Sequence, residues 1–494
     1  MMKLVKKFKN GIFSIALFLG AVYACSDDFV DILPEYSLGS ESFFNNESDY
    51  YEALVGAYDL LAATYVNAML GEIASDNTLC GGEGSYDVPG FQQIDDMIHT
   101  PVNDNLQDIW NWMFAGVQRA TYILEFKDKI EFTGKAQIIA EARFLRAYYN
   151  FELVKWFGPI PLTKNDIRFA VNDEKSIPRF AENEVYQFII DDLQLAIPDL
   201  AEDAPEVGRV SKKAAMSLLG KAYVYNQQYA EASEIFDQVI GSNKYQLVSD
   251  FTTIFEHAGE NGPGSVFEVQ YTDKEGASFD CLQCSEGNIA VGFNGIREWT
   301  GPFYDTGFSF NVPTQELVDA FEDGDTRKDV AILDIVAFAA KYNATYAEGY
   351  EHTGYFNRKY IARKGDTNIG DMNLTNPNNY RAIRYADVLL LAAEAHQQLG
   401  NDTKALSYLN TVRTRAFESS ANNLSVTGDN LRKAIQHERR VELAGEGHRF
   451  FDLVRWGIAA ELIPGFESGK NEKFPVPIEE IQFSNGNWEQ NPNY

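Results

Sequence analysis

The chain has 494 residues, enough for one large core or two modest domains. Its 42 basic against 72 acidic residues leave a formal charge of −30, which argues against nucleic acid and anionic membrane surfaces as partners. Aromatic residues make up 13% of the chain, more than an ordinary helical core asks for, so rings are available for a binding surface as well.

The N-terminus reads as an export signal. Lys3, Lys6, Lys7 and Lys9 precede an apolar run over 11–24 that stops at Cys25. That run is too short to span a bilayer as a helix, which takes about 20 residues. No other apolar run in the sequence reads as a membrane span. Val22-Tyr23-Ala24-Cys25 resembles a bacterial lipobox, with Tyr23 departing from the usual small residue, so Cys25 is the candidate lipidation site. An ordinary signal peptide followed by a free cysteine is the plainer reading. Ser26-Asp27-Asp28 then opens a polar tether.

Helical spacing starts near Ser42 and continues to about Ala68, and a second helix carries Trp110, Trp112 and Phe114 over roughly 104–128. A third, around Glu141-Ala142-Arg143-Phe144-Leu145-Arg146, ends at Gly158-Pro159. The pair at 211–241 has the spacing of a tetratricopeptide repeat: Leu219-Gly220 and Tyr223, then Ala232 and Phe236. A looser copy occupies 385–416, with Ala393 and Ala405 at the small positions and Leu409 in place of Phe236. Each hairpin exposes an apolar face that another must cover, so several must stack. An all-α scaffold of repeat-like hairpins is expected.

A long excursion separates the two copies. Val266 to Tyr271 alternates like a short strand, and glycine, asparagine and aromatic residues dominate 276–311. A brief helix is expected at 314–321. A long irregular segment inside a helical scaffold is usually functional or disordered, and its aromatics argue against disorder. Of the remaining cysteines, Cys80, Cys281 and Cys284, two can form one disulfide in an oxidising compartment. Cys281 and Cys284 have half of a zinc-like spacing, but no second ligand pair accompanies them.

The segment 431–457 alternates in charge. Glu438 and Glu442 lie one turn apart on one helix face. They read either as a carboxylate pair of the kind a glycosidase uses or as a structural ion-pair cluster. Arg439, Arg440, Arg449 and Arg455 nearby should keep both ionised, which suits the second reading.

The pattern Ile435, Glu438-Arg439, Glu442-Leu443, Glu446-Gly447, Arg449, Asp452-Leu453, Arg455-Trp456-Gly457 resembles the C-terminal signature of the SusD/RagB family. Phe474-Pro475-Val476-Pro477 and the close Gln490-Asn491-Pro492-Asn493-Tyr494 resemble the family's last segment, with Asn493 where a glycine is usual. The stretch at 141–159 and the opening Phe29-Val30-Asp31-Ile32-Leu33-Pro34 resemble it too. The resemblance implies a cell-surface, lipid-anchored outer-membrane protein that captures oligosaccharides or polysaccharides without catalysis. It further implies delivery to a SusC-like TonB-dependent transporter, with no cofactor and no metal. The implied organisation is a removed signal at 1–24, a tether at 25–40 and a single SusD-like domain at 41–494. Within that domain the helical scaffold covers about 41–255 and 381–420, a loop-rich ligand-face portion about 256–380, and the C-terminal signature 421–494. A surface glycoside hydrolase using Glu438 and Glu442, and a peptide-binding member of the same scaffold, are the alternatives.

No phosphate loop, H-E-x-x-H, G-x-S-x-G or dinucleotide-type glycine loop occurs. Sugar sites combine flat aromatic platforms with polar groups that meet hydroxyls. Two stretches fit that description: 75–91, with Tyr86 and Phe91, and 294–310, with Trp299, Phe303 and Tyr304 beside Arg297. Trp299 sits among turn formers, Gly301-Pro302, which places it away from a helical core. Because lipid is the expected anchor, Cys25→Ala should release the protein from the membrane fraction, as cell fractionation would read directly.

Overall fold

The computed structural model describes residues 43–170, 173–366, 370–371 and 373–494. The export signal, Cys25 and the tether lie outside the described residues. The chain is mostly helical. It begins with α1 (Glu47–Asp59), capped by the Asn46 side chain accepting from the Asp49 N–H, and α2 (Thr64–Ile73). A short 3-10 turn joins these two, and the run Glu47–Ile73 is long and apolar enough to cross a membrane by length and composition. This corrects the expectation that no such run exists beyond the signal. Its most apolar window is 67% buried inside the protein, because it is a core element.

Next come β1 (Thr78–Leu79) and α3 (Pro89–Asp95), then α4 (Asp104–Glu125), capped by Asn103, and α5 (Lys135–Phe157). After α6 (Glu182–Ala196) follow the hairpin helices α7 (Lys212–Tyr225), capped by Ser211, and α8 (Tyr229–Gly241). The repeat spacing translates into contact: a Cβ on Gly220 would stand 2.5 Å from the Phe236 ring, so only glycine lets α7 and α8 approach this closely.

The excursion is more structured than its composition suggests. It holds β2 (Ser265–Val269), β3 (Ile296–Arg297), β4 (Thr306–Gly307), β5 (Val312–Pro313), β6 (Ile332–Asp334), α9 (Ile335–Tyr342), β7 (Tyr355–Asn357) and β8 (Tyr380–Arg384). Its two ends pair with each other, antiparallel, through Ser265↔Arg384, Phe267↔Ile383 and Val269↔Tyr380. The scaffold then resumes with α10 (Tyr385–Gln398) and α11 (Asp402–Ala416), the second repeat-like hairpin. Because β2 and β8 bring the ends together, α8 packs directly on α10. Asp237 of α8 accepts from Tyr408 of α11 at 2.6 Å and lies 3.1 Å from His396 of α10. The helical stack is interrupted in sequence and closed in space. One continuous apolar core runs from Phe44 to Trp488.

Two further helices, α12 (Gly428–Glu442) and α13 (Arg449–Arg455), carry the charged signature. Glu438, Glu442 and Glu446 are all essentially without solvent exposure. Their partners are not the neighbouring arginines that the sequence suggests. Arg327 Nη1 lies 2.7 Å from Glu438 and 2.9 Å from Glu442, and Arg413 reaches Glu438 at 2.9 Å. Arg384 and Arg415 hold Glu442 at 2.9 and 2.6 Å, and Lys359 holds Glu446 at 2.6 Å. The local arginines point elsewhere: Arg439 to Asp387 and Asp452, Arg455 to Asp452 and Glu394, and Arg440 and Arg449 to Asp76. Burial alone would raise the Glu442 carboxyl, but Arg415, Arg384 and Arg327 together hold it well below the usual carboxylate range. It therefore stays ionised and cannot act as a general acid.

Removing one member leaves its partners as buried, uncompensated charge. Glu442→Ala should lower unfolding free energy by about 3–5 kcal/mol, read as a shift of the denaturation midpoint at unchanged slope.

Candidate functional site

Both stretches singled out in the sequence meet in one place. β1 pairs with β5, matching Thr78 to Pro313 and Leu79 to Val312, which lays the segment 80–88 along 308–311. The Gly82 N–H donates to Ser309 O at 2.9 Å, and Tyr350 N–H donates to Gly82 O at 2.9 Å. A Cβ on Gly81 would stand 2.0 Å from Ser309 O, so the paired glycines are what allow this backbone approach. Arg297 fastens the two loops. Its Nη2 donates to Phe308 O at 2.9 Å and to Asp87 at 3.4 Å, and its Nε to Ser309 Oγ at 3.3 Å.

The candidate rings divide by burial. Tyr86 is 71% exposed, next to Asp87, and Phe303 is 55% exposed. Phe303 has φ +71°, a conformation rare outside glycine, and its ring leans on Tyr342 and Phe338 at 5.1 and 6.2 Å. Such strain is held only where surrounding contacts enforce it. The other three rings are packing residues. Phe91 is wholly buried against Phe293 and Phe310. Tyr304 is buried and its hydroxyl accepts from Arg358 at 2.9 Å. Trp299 is 6% exposed, which corrects the expectation that its turn keeps it out of a core. A satellite core of Ile296, Leu333, Ile335, Phe356 and Ile361 forms around it, and its Nε1 donates to Pro302 O. The turn is real, but α9 and the β6–β7 pair close over it.

One ring escaped the sequence reading. Phe279 is 55% exposed and meets Phe308 edge-on at 5.7 Å. Its signal was the aromatic density of 276–311, which does not say which ring faces water. Nearby, Cys281 and Cys284 form a disulfide, and Cys80 is free and buried. The arrangement is an open face: exposed Tyr86 and Phe279, half-buried Phe308, and the Arg297–Asp87 pair between the loops. Flat rings with a charged donor and a carboxylate acceptor can hold a polyhydroxylated chain. Among the described residues, no group of three or more His, Cys, Asp or Glu is placed to hold a metal ion.

Asp95 of α3 supports the face from beneath, its carboxylate accepting the Cys80 N–H at 2.8 Å. Burial pushes the Asp95 carboxyl up to about 7; the Cys80 N–H opposes this, while Asp96 and Glu351 add to it. The folded chain therefore keeps a proton here that the unfolded chain has lost. The stability contribution is fully present below the unfolded value, about 3.9, and is lost as pH rises through 7. Asp95→Asn should raise the melting temperature at pH 8 and shrink the difference between pH 5 and pH 8, as thermal melts would show.

Family models match two separate parts of the chain: one described as the SusD family over 335–473, and one described as starch-binding associating with outer membrane over 28–224. A SusD-like protein of Formosa agariphila is 28% identical over 99% of this chain and 100% of its own length. Among solved structures, a laminarin-binding SusD-like protein superposes at TM-score 0.84 with 31% identity, covering 91% of this chain and 100% of that one. Surface glycan-binding protein A from Bacteroides thetaiotaomicron, in complex with laminarihexaose, matches at TM-score 0.79 and 25% identity, covering 91% and 100%. With the Glu438-to-Gly457 signature in place and a 31% identical relative spanning nine-tenths of its length, the chain belongs to the SusD/RagB family.

Proposed function

We propose that the protein is a lipid-anchored outer-membrane protein of the cell surface that binds a neutral glucan of the laminarin type on the Tyr86–Arg297 face. On this reading it hands the chain to a SusC-like TonB-dependent transporter without cleaving it. The observation that carries the reading is the 31% identity, over 91% of the chain, to a laminarin-binding relative. The open face supports it, because a polymer needs a site without end walls. A neutral ligand also suits a chain of charge −30. The alternative hydrolase loses its residues: Glu438 and Glu442 are 0% exposed and locked by arginines, so no glycosidic bond reaches them.

Calorimetric titration with laminarihexaose tests the reading. Tyr86→Ala should weaken binding at least tenfold, a loss of about 1.4 kcal/mol, with the melting temperature unchanged because the ring lies in solvent. Trp299→Ala should do the reverse, lowering stability by about 3–5 kcal/mol as core removal does. Unchanged affinity in Tyr86→Ala would move the ligand off this face. Release of shorter sugars from laminarin by the purified protein would defeat the non-catalytic reading.

A further inference from the structure

Away from the loop face, two cavities open on either side of the segment 203–209. One, of about 360 Å³, lies beside α1, and the other, of about 560 Å³, extends toward Lys244 and Tyr245. Residues 206–209 and Glu268 line both, so the two are lobes of one groove. Each lobe has the size of a small-molecule site.

Glu268 of β2 is 3% exposed and half satisfied. Its Oε2 accepts from Asn379 at 3.1 Å, while its Oε1 accepts no hydrogen bond, with Arg381 Nε 3.7 Å away. Arg381 Nε is likewise without a hydrogen bond, so the two face each other as a buried ion pair beneath the groove.

Opposite it, Tyr51 on α1 is 38% exposed, with Val55 at 52% and Val207 at 76% beside it. The Tyr51 hydroxyl donates to Glu206 at 2.9 Å, and the Arg209 guanidinium stands over its ring at 5.6 Å. Arg209 is itself fixed by Glu141, its Nε donating at 3.0 Å. The ring is thus held in place before any ligand arrives, which lowers the entropic cost of binding.

The charges decide the ligand class. Asp59, Asp203, Glu206, Glu268 and Glu286 in the lining oppose an anion, while Arg209 and Lys244 within it, and Arg119 paired to Asp59 behind it, offset part of that charge. Burial and the neighbouring Asp59 carboxylate, to which the protonated Glu286 carboxyl donates, push Glu286 up to about 7, which reduces the negative charge of this wall. Donors, acceptors and apolar ring faces together suit a neutral polyol.

We propose that this two-lobed groove is a second binding site, for a neutral oligosaccharide, in which Tyr51 and Val207 carry the ring faces and Glu206 and Arg209 meet the hydroxyls. It rests on the glycan-binding reading above but on none of the residues of the loop face.

Titration of the exported protein with laminarihexaose should give two equivalents bound. Tyr51→Ala should leave one, with the remaining affinity unchanged. Val207→Asp should do the same, and because that side chain lies in solvent, its folding is not at stake. Tyr86→Ala should leave the complementary equivalent, that of the groove. One equivalent in the wild type, untouched by Tyr51→Ala and Val207→Asp but abolished by Tyr86→Ala, overturns the groove and leaves the glycan reading standing. Binding that survives Tyr86→Ala in full but is lost in Val207→Asp upholds the groove and removes the loop face. Absence of any binding by the wild type overturns both.

Discussion

Glu442 cannot leave water alone. A carboxylate at zero exposure is tolerable only with cations in contact, and this one has Arg327, Arg384 and Arg415. Those cations come from the excursion, from its closing strand β8 and from the second hairpin helix α11. Satisfying one glutamate therefore requires three distant parts of the chain to arrive together. Glu438 and Glu446 repeat the demand with Arg413 and Lys359. Buried pairs of this kind add little net stability over apolar packing, yet they penalise every arrangement that leaves one charge alone. Here that penalty specifies where the excursion sits on the helical stack.

The same signature reaches the loop face through its other charges. Arg440 and Arg449 hold Asp76 at 3.1 and 2.7 Å. Glu72, at the end of α2, accepts the N–H groups of Gly445 and Gly447, both at 2.9 Å. A Cβ on Gly447 would stand 2.2 Å from Ala68 O, so that turn must press directly on α2. The chain leaving α2 is therefore fixed at both Glu72 and Asp76 before it enters the loop carrying Tyr86. Rigid support behind an exposed loop is the arrangement expected of a site that binds without reorganising.

What the sequence disclosed follows the range of each interaction. The hairpins at 211–241 and 385–416 were legible because Gly220, Phe236, Ala393 and Leu409 act on helices adjacent in the chain, where spacing is the geometry. The signature around Glu438 was legible as a resemblance, but its partners were not. Charge alternation pointed to Arg439 and Arg440, whereas the contacts at Glu438 and Glu442 come from Arg327, Arg384, Arg413 and Arg415. Nothing local distinguishes those arginines from surface ones. Trp299 failed for the same reason: Gly301-Pro302 correctly marks a turn, but what covers the turn is α9, more than thirty residues on. Tyr86 and Phe91, five residues apart, part between solvent and core because Tyr86 lies in the loop after β1 while Phe91 sits in the first turn of α3. No periodicity records that.

The disulfide shows how a local feature can belong to both surfaces. Cys281 and Cys284 are three residues apart. In the chain-entropy account, stabilisation grows with the length of the loop closed, so a bridge this short constrains the unfolded chain little. Its effect must be local, and its neighbourhood says where. Phe279 precedes it and meets Phe308 on the open face, while Glu286 follows it and lines the groove beside α1. The Thr272 N–H donates to Glu286 O at 2.9 Å, so the segment is pinned beyond the bridge as well. The 3-10 turn Leu282–Cys284 and the Ser285 N–H donating to Leu282 O order the same residues. The bridge fixes only the turn between Cys281 and Cys284, so Phe279 on one side and Glu286 on the other are each held by their own contacts, Phe308 and Thr272.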